Sequence, residues 1–339
     1  MGAVGLKTWI WQNNFRSLVL LAGFPVLLIG LIWCLQLGLI GMEMAPTTGS
    51  FSGDLGMSTG WLAGTAPLAL ALSGGWYGVA WVGHQGIIDM ATGAKKVERK
   101  DVPDLYNLLE NLCISRGQPM PGLRIVEVSQ MNAWASGLSD KGAVITVTRG
   151  LLNALNRDEL EAVLAHELTH VINRDMRLTV VAAVFAGVIT LICELFFRML
   201  RFGGSGGSSR SRSSGGGGGA GALILIAIAA AAVAYILALL VRAAISQKRE
   251  FLADAGSVEL TKNPDAMISA LQKISGHADI QAPRDIQAMF IEHPGEGLFA
   301  SHPPIAKRIE ALVKFAAGHD YAAERAAAVA SVGTSVPTS

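Results

Sequence analysis

Three residues of one short stretch could carry out hydrolysis on a metal ion: His166, Glu167 and His170 in Ala165-His166-Glu167-Leu168-Thr169-His170. On a helix of 3.6 residues per turn, a four-residue step brings both imidazoles to nearly the same side, so both can reach one ion with Glu167 beside them. A catalytic zinc takes three protein ligands and keeps a fourth position for water, so a further ligand is expected along the chain. Glu250 is the candidate, in Gln247-Lys248-Arg249-Glu250-Phe251-Leu252-Ala253-Asp254. A helix over this stretch sets Glu250 and Asp254 on one face. Asp254 can then accept the outer ring N–H of a ligating histidine, fixing its tautomer and raising its basicity. The plainer alternatives are a chance spacing on an amphipathic helix and a charged patch at the start of a solvated one.

The elements that must position these residues are legible nearby. Asn156 reads as a helix cap with Glu159 three residues on, and Leu160, Val163, Leu164, Leu168, Val171 and Ile172 recur at helical spacing. Upstream, Pro103 opens a helix carrying Leu105, Leu108, Leu109 and Leu112, which Gly117 and Pro119 close. Two strand-like runs, 123–128 and 143–148, flank Asn132-Ala133-Trp134-Ala135-Ser136-Gly137 and a turn-rich 139–142. A small sheet therefore leads into the histidine helix. Beyond Glu250, helices are expected over 264–274 and 304–315, and His293 and His302 between them both precede proline.

Composition points to a membrane. Hydrophobic residues make up 51% of the 339 and charged residues 16%, against roughly 25% charged in soluble domains. A net charge of +1 gives no sign of a nucleic-acid partner. Cys34, Cys113 and Cys193 are scattered and form neither a disulfide framework nor a CxxC site. Residues 15–42 are apolar apart from Arg16 and Gln36, and 61–83 are apolar as well. At about 1.5 Å per residue each run can cross a hydrocarbon core of about 30 Å. Lys7 and Arg16 precede the first run, Lys95, Lys96, Arg99 and Lys100 follow the second, and the connector 43–60 has no Lys or Arg. The positive-inside rule puts the N-terminus and the catalytic region in the cytosol; His84 reads as interfacial. Runs 178–197 and 222–241 are also long enough to span, as an antiparallel hairpin around a flexible Gly/Ser-rich linker, 203–219. Arg201, Arg210 and Arg212 in that connector oppose this arrangement by the charge rule, but apolar length is the stronger constraint.

The stretch 166–175 with Glu250-Phe251-Leu252-Ala253-Asp254, then Ser301-His302-Pro303-Pro304 with Arg308-Ile309, resembles the M48 family of membrane metallopeptidases. Asn132-Ala133-Trp134-Ala135 also resembles a motif of that family, with Trp134 where Phe is usual, and the likeness runs from about residue 15 to about residue 316 in family order. The resemblance implies a mostly α, multi-span membrane protein with a small β-sheet and a gluzincin-like zinc peptidase domain. One Zn2+ per chain would be held by His166, His170 and Glu250, with Glu167 as general base. His302 would lie near the cleft as an oxyanion stabiliser or a loop anchor. Asn132, Ala133 and Trp134 would supply part of a substrate-binding edge, where β-augmentation holds an extended peptide, unless that stretch is an ordinary bend.

The expected organisation is a cytosolic start (1–14), a two-helix membrane hairpin (15–90), catalytic parts 91–177 and 242–317 around the second apolar hairpin (178–241), and a flexible tail (318–339). By resemblance the setting is a bacterial inner membrane under stress, the partners are the lipid bilayer and polypeptide substrates, and those substrates are misfolded or damaged membrane proteins. A prenyl-protein endopeptidase, an intramembrane protease and a non-catalytic scaffold are the competing readings. Charges flanking the motif, Arg157, Asp158, Glu159, Arg174 and Asp175, argue against the intramembrane one, and Glu167 beside the histidines argues against the scaffold.

Overall fold

A computed structural model describes residues 6–181, 248–280, 289–291 and 303–320, with isolated positions between 194 and 235. The chain divides into two units, one of residues 14–84 and 180–244, the other of 1–13, 85–179 and 245–339.

The first of these holds most of two long helices, α1 (Leu6–Gly41) and α2 (Phe51–Thr92). Both are long and apolar enough to cross a membrane, with mean hydropathy of 2.1 over Leu21–Gly41 and 1.2 over Phe51–Thr92. Each extends beyond the apolar run expected from the sequence. At the start of α2 the reason is local: the Asp54 carboxylate accepts the Thr48 amide at 2.6 Å and the Thr48 and Thr47 hydroxyls at 2.8 Å, which caps the helix ahead of its apolar run. Val26, Leu68, Leu70, Leu72, Val79 and Val82 are exposed, the outward apolar surface that lipid would cover. The polar Gln36 donates instead to Thr65 at 3.3 Å, within the pair. Of the expected second hairpin, only 178–181 and the isolated positions between 194 and 235 are described, all of them helical; the rest lies outside the described residues.

The second unit is built on a four-stranded mixed sheet in the order β1 (Lys95–Lys96), β2 (Gly122–Val126), β4 (Val144–Thr148), β3 (Ala133–Ser136). β2 and β4 are the two runs read from the sequence, and they are parallel neighbours. The stretch between them is no mere bend: β3 pairs antiparallel with β4, Ala133 opposite Val147 and Ser136 opposite Val144, and forms the sheet edge. Helices α3 (Pro103–Arg116), α4 (Arg149–Ala154) and α5 (Arg157–Ile172) complete this half. α3 ends as expected on Gly117, whose φ of 62° lies in the left-handed region open to glycine.

α5 is the central element. Its capping box is present: Asn156 accepts the Glu159 amide at 3.0 Å, and Glu159 accepts the Asn156 amide at 2.8 Å. Glu159 also takes hydrogen bonds from Ser269 at 2.6 Å and Lys273 at 2.7 Å. Burial raises its carboxyl pKa, but these bonds outweigh that and hold it below the usual range. From Ala162 to Thr169 the helix is buried on every side, not on one face alone. It packs on the sheet, on α3, and on α6 (Lys248–Thr261) and α7 (Pro264–Ile274); α8 (Ile305–Ala316) closes over α6 and α7.

The approach of α6 to α5 depends on Gly256. A Cβ there would stand 2.5 Å from both Oγ1 and Cγ2 of Thr169, which neighbours His170. One residue on, the Ser257 hydroxyl donates to the Ala162 carbonyl at 2.6 Å. Gly256→Ala is expected to destabilise the fold by about 1–3 kcal/mol through overpacking. Thermal melts of the detergent-purified variant check this, and an unchanged midpoint would show that the helices separate at no cost.

Candidate metal centre

His166 and His170 lie one turn apart on α5, and Glu250 lies in the first turn of α6, which Gly256 and Ser257 seat against α5. The two Nε2 atoms are 3.2 Å apart, His166 Nε2 is 3.6 Å from Glu250 Oε2, and His170 Nε2 is 3.8 Å from Glu250 Oε1. A tetrahedral zinc with bonds of about 2.0–2.1 Å sets its ligand atoms about 3.3–3.4 Å apart. The three groups fit such an ion with a few tenths of an ångström of closure. Glu167 fits it independently: its side chain is buried, and neither carboxylate oxygen has a hydrogen-bond partner among the described residues. An orphaned buried carboxylate is costly unless something in the site uses it.

Each of the three converging side chains is held from behind. His166 Nδ1 lies 2.9 Å from Asp254 Oδ1, the contact expected from the i, i+4 spacing on α6. Asp254 is in turn gripped by the Arg308 fork, at 2.6 Å from Nη2 and 2.9 Å from Nε. The same guanidinium donates through Nη1 to the Ile291 carbonyl at 2.9 Å and stands 3.8 Å from Glu250 Oε2. His170 Nδ1 lies 3.1 Å from Asp175 Oδ2. Asp175 can reach back because α5 stops at Asn173 and Arg174 turns the chain with a φ of 58°. Arg249 Nε donates to Glu250 Oε1 at 3.2 Å. Such carboxylate and guanidinium partners set ring orientation and ligand basicity.

The charges explain the proton affinities. Burial works to strip the His166 imidazole of its proton, but hydrogen bonds to Asp254 and Glu250 outweigh it and hold its pKa up to about 9. Burial also raises Asp254, yet the Arg308 charge and hydrogen bonds win and keep it below the usual range. Glu167 is pushed up by burial, with the two imidazoles opposing. In metal-free protein the raised His166 value stabilises the fold fully below the ordinary 6.5 and is lost as pH rises through about 9. Chelator-treated protein should therefore melt at falling temperature over that interval. The zinc-loaded form, in which metal has displaced the proton, should lack this step; a flat metal-free profile would contradict the raised value.

The structure thus brings His166, Glu167, His170, Glu250 and Asp254 together, and His302 lies outside the described residues. Asn132 and Trp134 are buried and stand at the sheet edge in a particular way. The Asn132 amide donates to the Ala278 carbonyl at 2.8 Å, and its oxygen accepts the Ala133 and Ile291 amides at 2.9 and 3.0 Å. The Trp134 ring packs against Phe290, with centroids 4.7 Å apart. These side chains brace the 278 and 291 segments, so recognition of a peptide there would fall to the β3 backbone. Asp175, Arg308 and Arg249 drew no role from sequence reasoning. Their one signal was place: Asp175 and Arg308 stand in the M48-like motifs, and Arg249 adjoins Glu250.

The family model for peptidase family M48 matches residues 100–316. A protease HtpX homolog of Bacteroides fragilis is 39% identical over 327 residues, covering 93% of this chain and 100% of the relative. Another, from Streptococcus thermophilus, is 37% identical over 295 residues, 84% of this chain and 94% of its own. The crystal structure of S. mikatae Ste24p aligns with 89% of this chain and 66% of its own at a TM-score of 0.40 and 19% identity, too loosely to carry an argument. With an HExxH helix whose two histidines meet a remote glutamate, and with relatives matched over nearly their whole length, the chain belongs to peptidase family M48 and is a membrane metalloprotease.

Proposed function

We propose that the protein is a multi-span zinc endopeptidase of a bacterial inner membrane, with its centre on the cytosolic side, that cuts misfolded or damaged membrane proteins under stress. The observation that carries the reading is the convergence of His166, His170 and Glu250 beside the Glu167 carboxylate, which has no hydrogen-bond partner among the described residues. The fold is gluzincin-like in this reading, with catalytic parts 91–177 and 242–317 contributing two ligands and one.

His166, His170 and Glu250 would hold one zinc per chain. When bound, zinc supplies an electrophile that acidifies water toward a pKa of about 7 and polarises the scissile carbonyl. Glu167 accepts the proton of the attacking water and passes it to the leaving amine, a task suited to a buried carboxyl whose proton affinity is already raised. Asp254 and Asp175 keep each imidazole aimed inward by holding its outer nitrogen. The outward backbone of β3 holds the substrate as an added strand, reading little of its side-chain sequence. His302 completes the cleft as oxyanion donor or loop anchor. The apolar runs 178–197 and 222–241, read as a membrane hairpin between the two catalytic parts, would hold the centre near the bilayer surface.

Metal analysis of the purified full chain, joined to cleavage of a destabilised membrane protein in proteoliposomes, tests this reading. One zinc per chain and cleavage abolished by chelator and restored by zinc are expected. Cleavage indifferent to chelator, or a preference for a prenylated C-terminal peptide over the membrane protein, sinks it.

A further inference from the structure

Behind the third ligand, a run of contacts closes on itself. Arg249 Nε donates to Glu250 Oε1 at 3.2 Å, and Arg249 Nη1 donates to the hydroxyl of Thr179. That hydroxyl donates to the Asp175 carbonyl at 3.0 Å, and the Asp175 carboxylate holds His170 Nδ1 at 3.1 Å. The ring closes where His170 Nε2 meets Glu250 Oε1 at 3.8 Å. Thr179, Asp175, Arg249 and Glu250 are all buried.

Two features of the ring are not demanded by the elements that carry it. Adjacent residues on a helix point away from each other, so the Arg249 guanidinium must bend back to reach Glu250. Thr179 and Arg249 are also 70 residues apart, at the points where the chain leaves the sheet-bearing unit and returns to it. Their contact therefore joins the end of the stretch 85–179 to the start of 245–339 beside the Glu250 carboxylate. A hydroxyl is required at the joint because it must accept from the guanidinium and donate to a carbonyl at once, which valine or alanine cannot do.

We propose that Thr179 and Arg249 are positioning residues for the metal: the hydroxyl fixes the guanidinium, and the guanidinium fixes the Glu250 carboxylate against the imidazole of His170. The proposal rests on the reading of Glu250 as the third ligand. Removing the joint frees the Glu250 side chain to rotate, so the ion is held by two well-placed ligands and one that must be ordered on binding.

The test uses the full chain in detergent, with zinc affinity measured by competition with a chromogenic chelator. Thr179→Val keeps the shape and removes the hydroxyl, and is expected to weaken zinc binding about 10- to 100-fold, as loss of such supporting partners does. Thr179→Ser keeps both hydrogen bonds and is expected to restore wild-type affinity. At saturating zinc the Val variant should lose kcat with KM unchanged. Wild-type zinc affinity in Thr179→Val overturns the proposal, as does a Ser variant no better than Val. Should the Val variant fail to fold, Arg249→Lys, whose single ammonium replaces the two-pronged fork, is read in the same assay: weakened zinc binding supports the ring and unchanged binding overturns it. Glu250→Ala runs alongside. If it too binds zinc as wild type, the ligand reading has failed; if it loses zinc while Thr179→Val does not, the ring alone has failed.

Discussion

Glu167→Gln leaves zinc in place and lowers cleavage by at least about a hundredfold. General-base assistance contributes about 10²–10⁴ in rate, and the amide keeps the shape of the carboxylate while losing the basic oxygen. Glu167 is not among the three groups whose ligand atoms converge, so metal content should stay at the wild-type level. Stability should move the other way from activity. The carboxylate is buried with neither oxygen hydrogen-bonded among the described residues, and a neutral amide at that place avoids the desolvation of a charge. The expected triad of results is unchanged zinc, a melting temperature equal to or above wild type, and cleavage near background. Turnover close to wild type with zinc retained would remove Glu167 from the base role.

Arg308→Met is expected to cost about 3–5 kcal/mol of stability, because it strips a buried carboxylate of its counter-charge. Arg308 has no exposed surface, and its fork supplies Asp254 with two hydrogen bonds and Ile291 with a third. Without the guanidinium, only the His166 contact is left to oppose burial, and the Asp254 pKa moves upward. The carboxyl then tends to hold its own proton rather than face His166 as an acceptor. Zinc affinity should fall together with stability, but the two part as pH is lowered through the range where the freed Asp254 titrates: the zinc loss deepens, while the stability loss shrinks because protonation neutralises the stranded carboxylate. Adding Asp254→Asn to Arg308→Met removes the stranded charge and should recover most of the stability but not the zinc affinity. Denaturant melts with a zinc titration resolve the two effects. A single variant within about 1 kcal/mol of wild type would mean that water or another cation already serves Asp254.

What could be read from residue types was whatever a period or a spacing encodes. The α5 helix, its Asn156–Glu159 box, β2 and β4, and the pairing of Glu250 with Asp254 on one face all follow from local rules, and the structure has them. Arg308 escaped because on an amphipathic helix, next to Lys307, it looks like any solvated cation; burial between Asp254 and Ile291 is a tertiary fact. Asp175 escaped because its contact with His170 depends on a left-handed arginine at 174, and nothing in that residue type announces a positive φ. β3 was ambiguous because Ala-Trp-Ala-Ser is short and has no β-branched residue; its pairing with β4 and the packing of Trp134 on Phe290 make it a strand.

The Ile291 amide occupies the Ala133 carbonyl at 2.9 Å, and the Ala133 amide is taken by Asn132. Since Asn132 bonds Thr148 across β4, alternation leaves Ala135 as the next residue of β3 whose backbone faces away from the sheet. A polypeptide laid along this edge would gain one pair of hydrogen bonds there, about 2 kcal/mol in all at about 1 kcal/mol each. That is roughly a thirtyfold preference, too small to capture a dilute peptide from bulk water. An unfolded segment tethered in the same bilayer, as in the proposed reading, would meet the edge at an effective concentration that can reach the millimolar range, where a grip with a dissociation constant of about 30 mM is occupied for only a few per cent of the time. Selection would then act through dwell time: a chain that refolds or is pulled away lets go before it is cut, and one that stays unravelled near the surface does not.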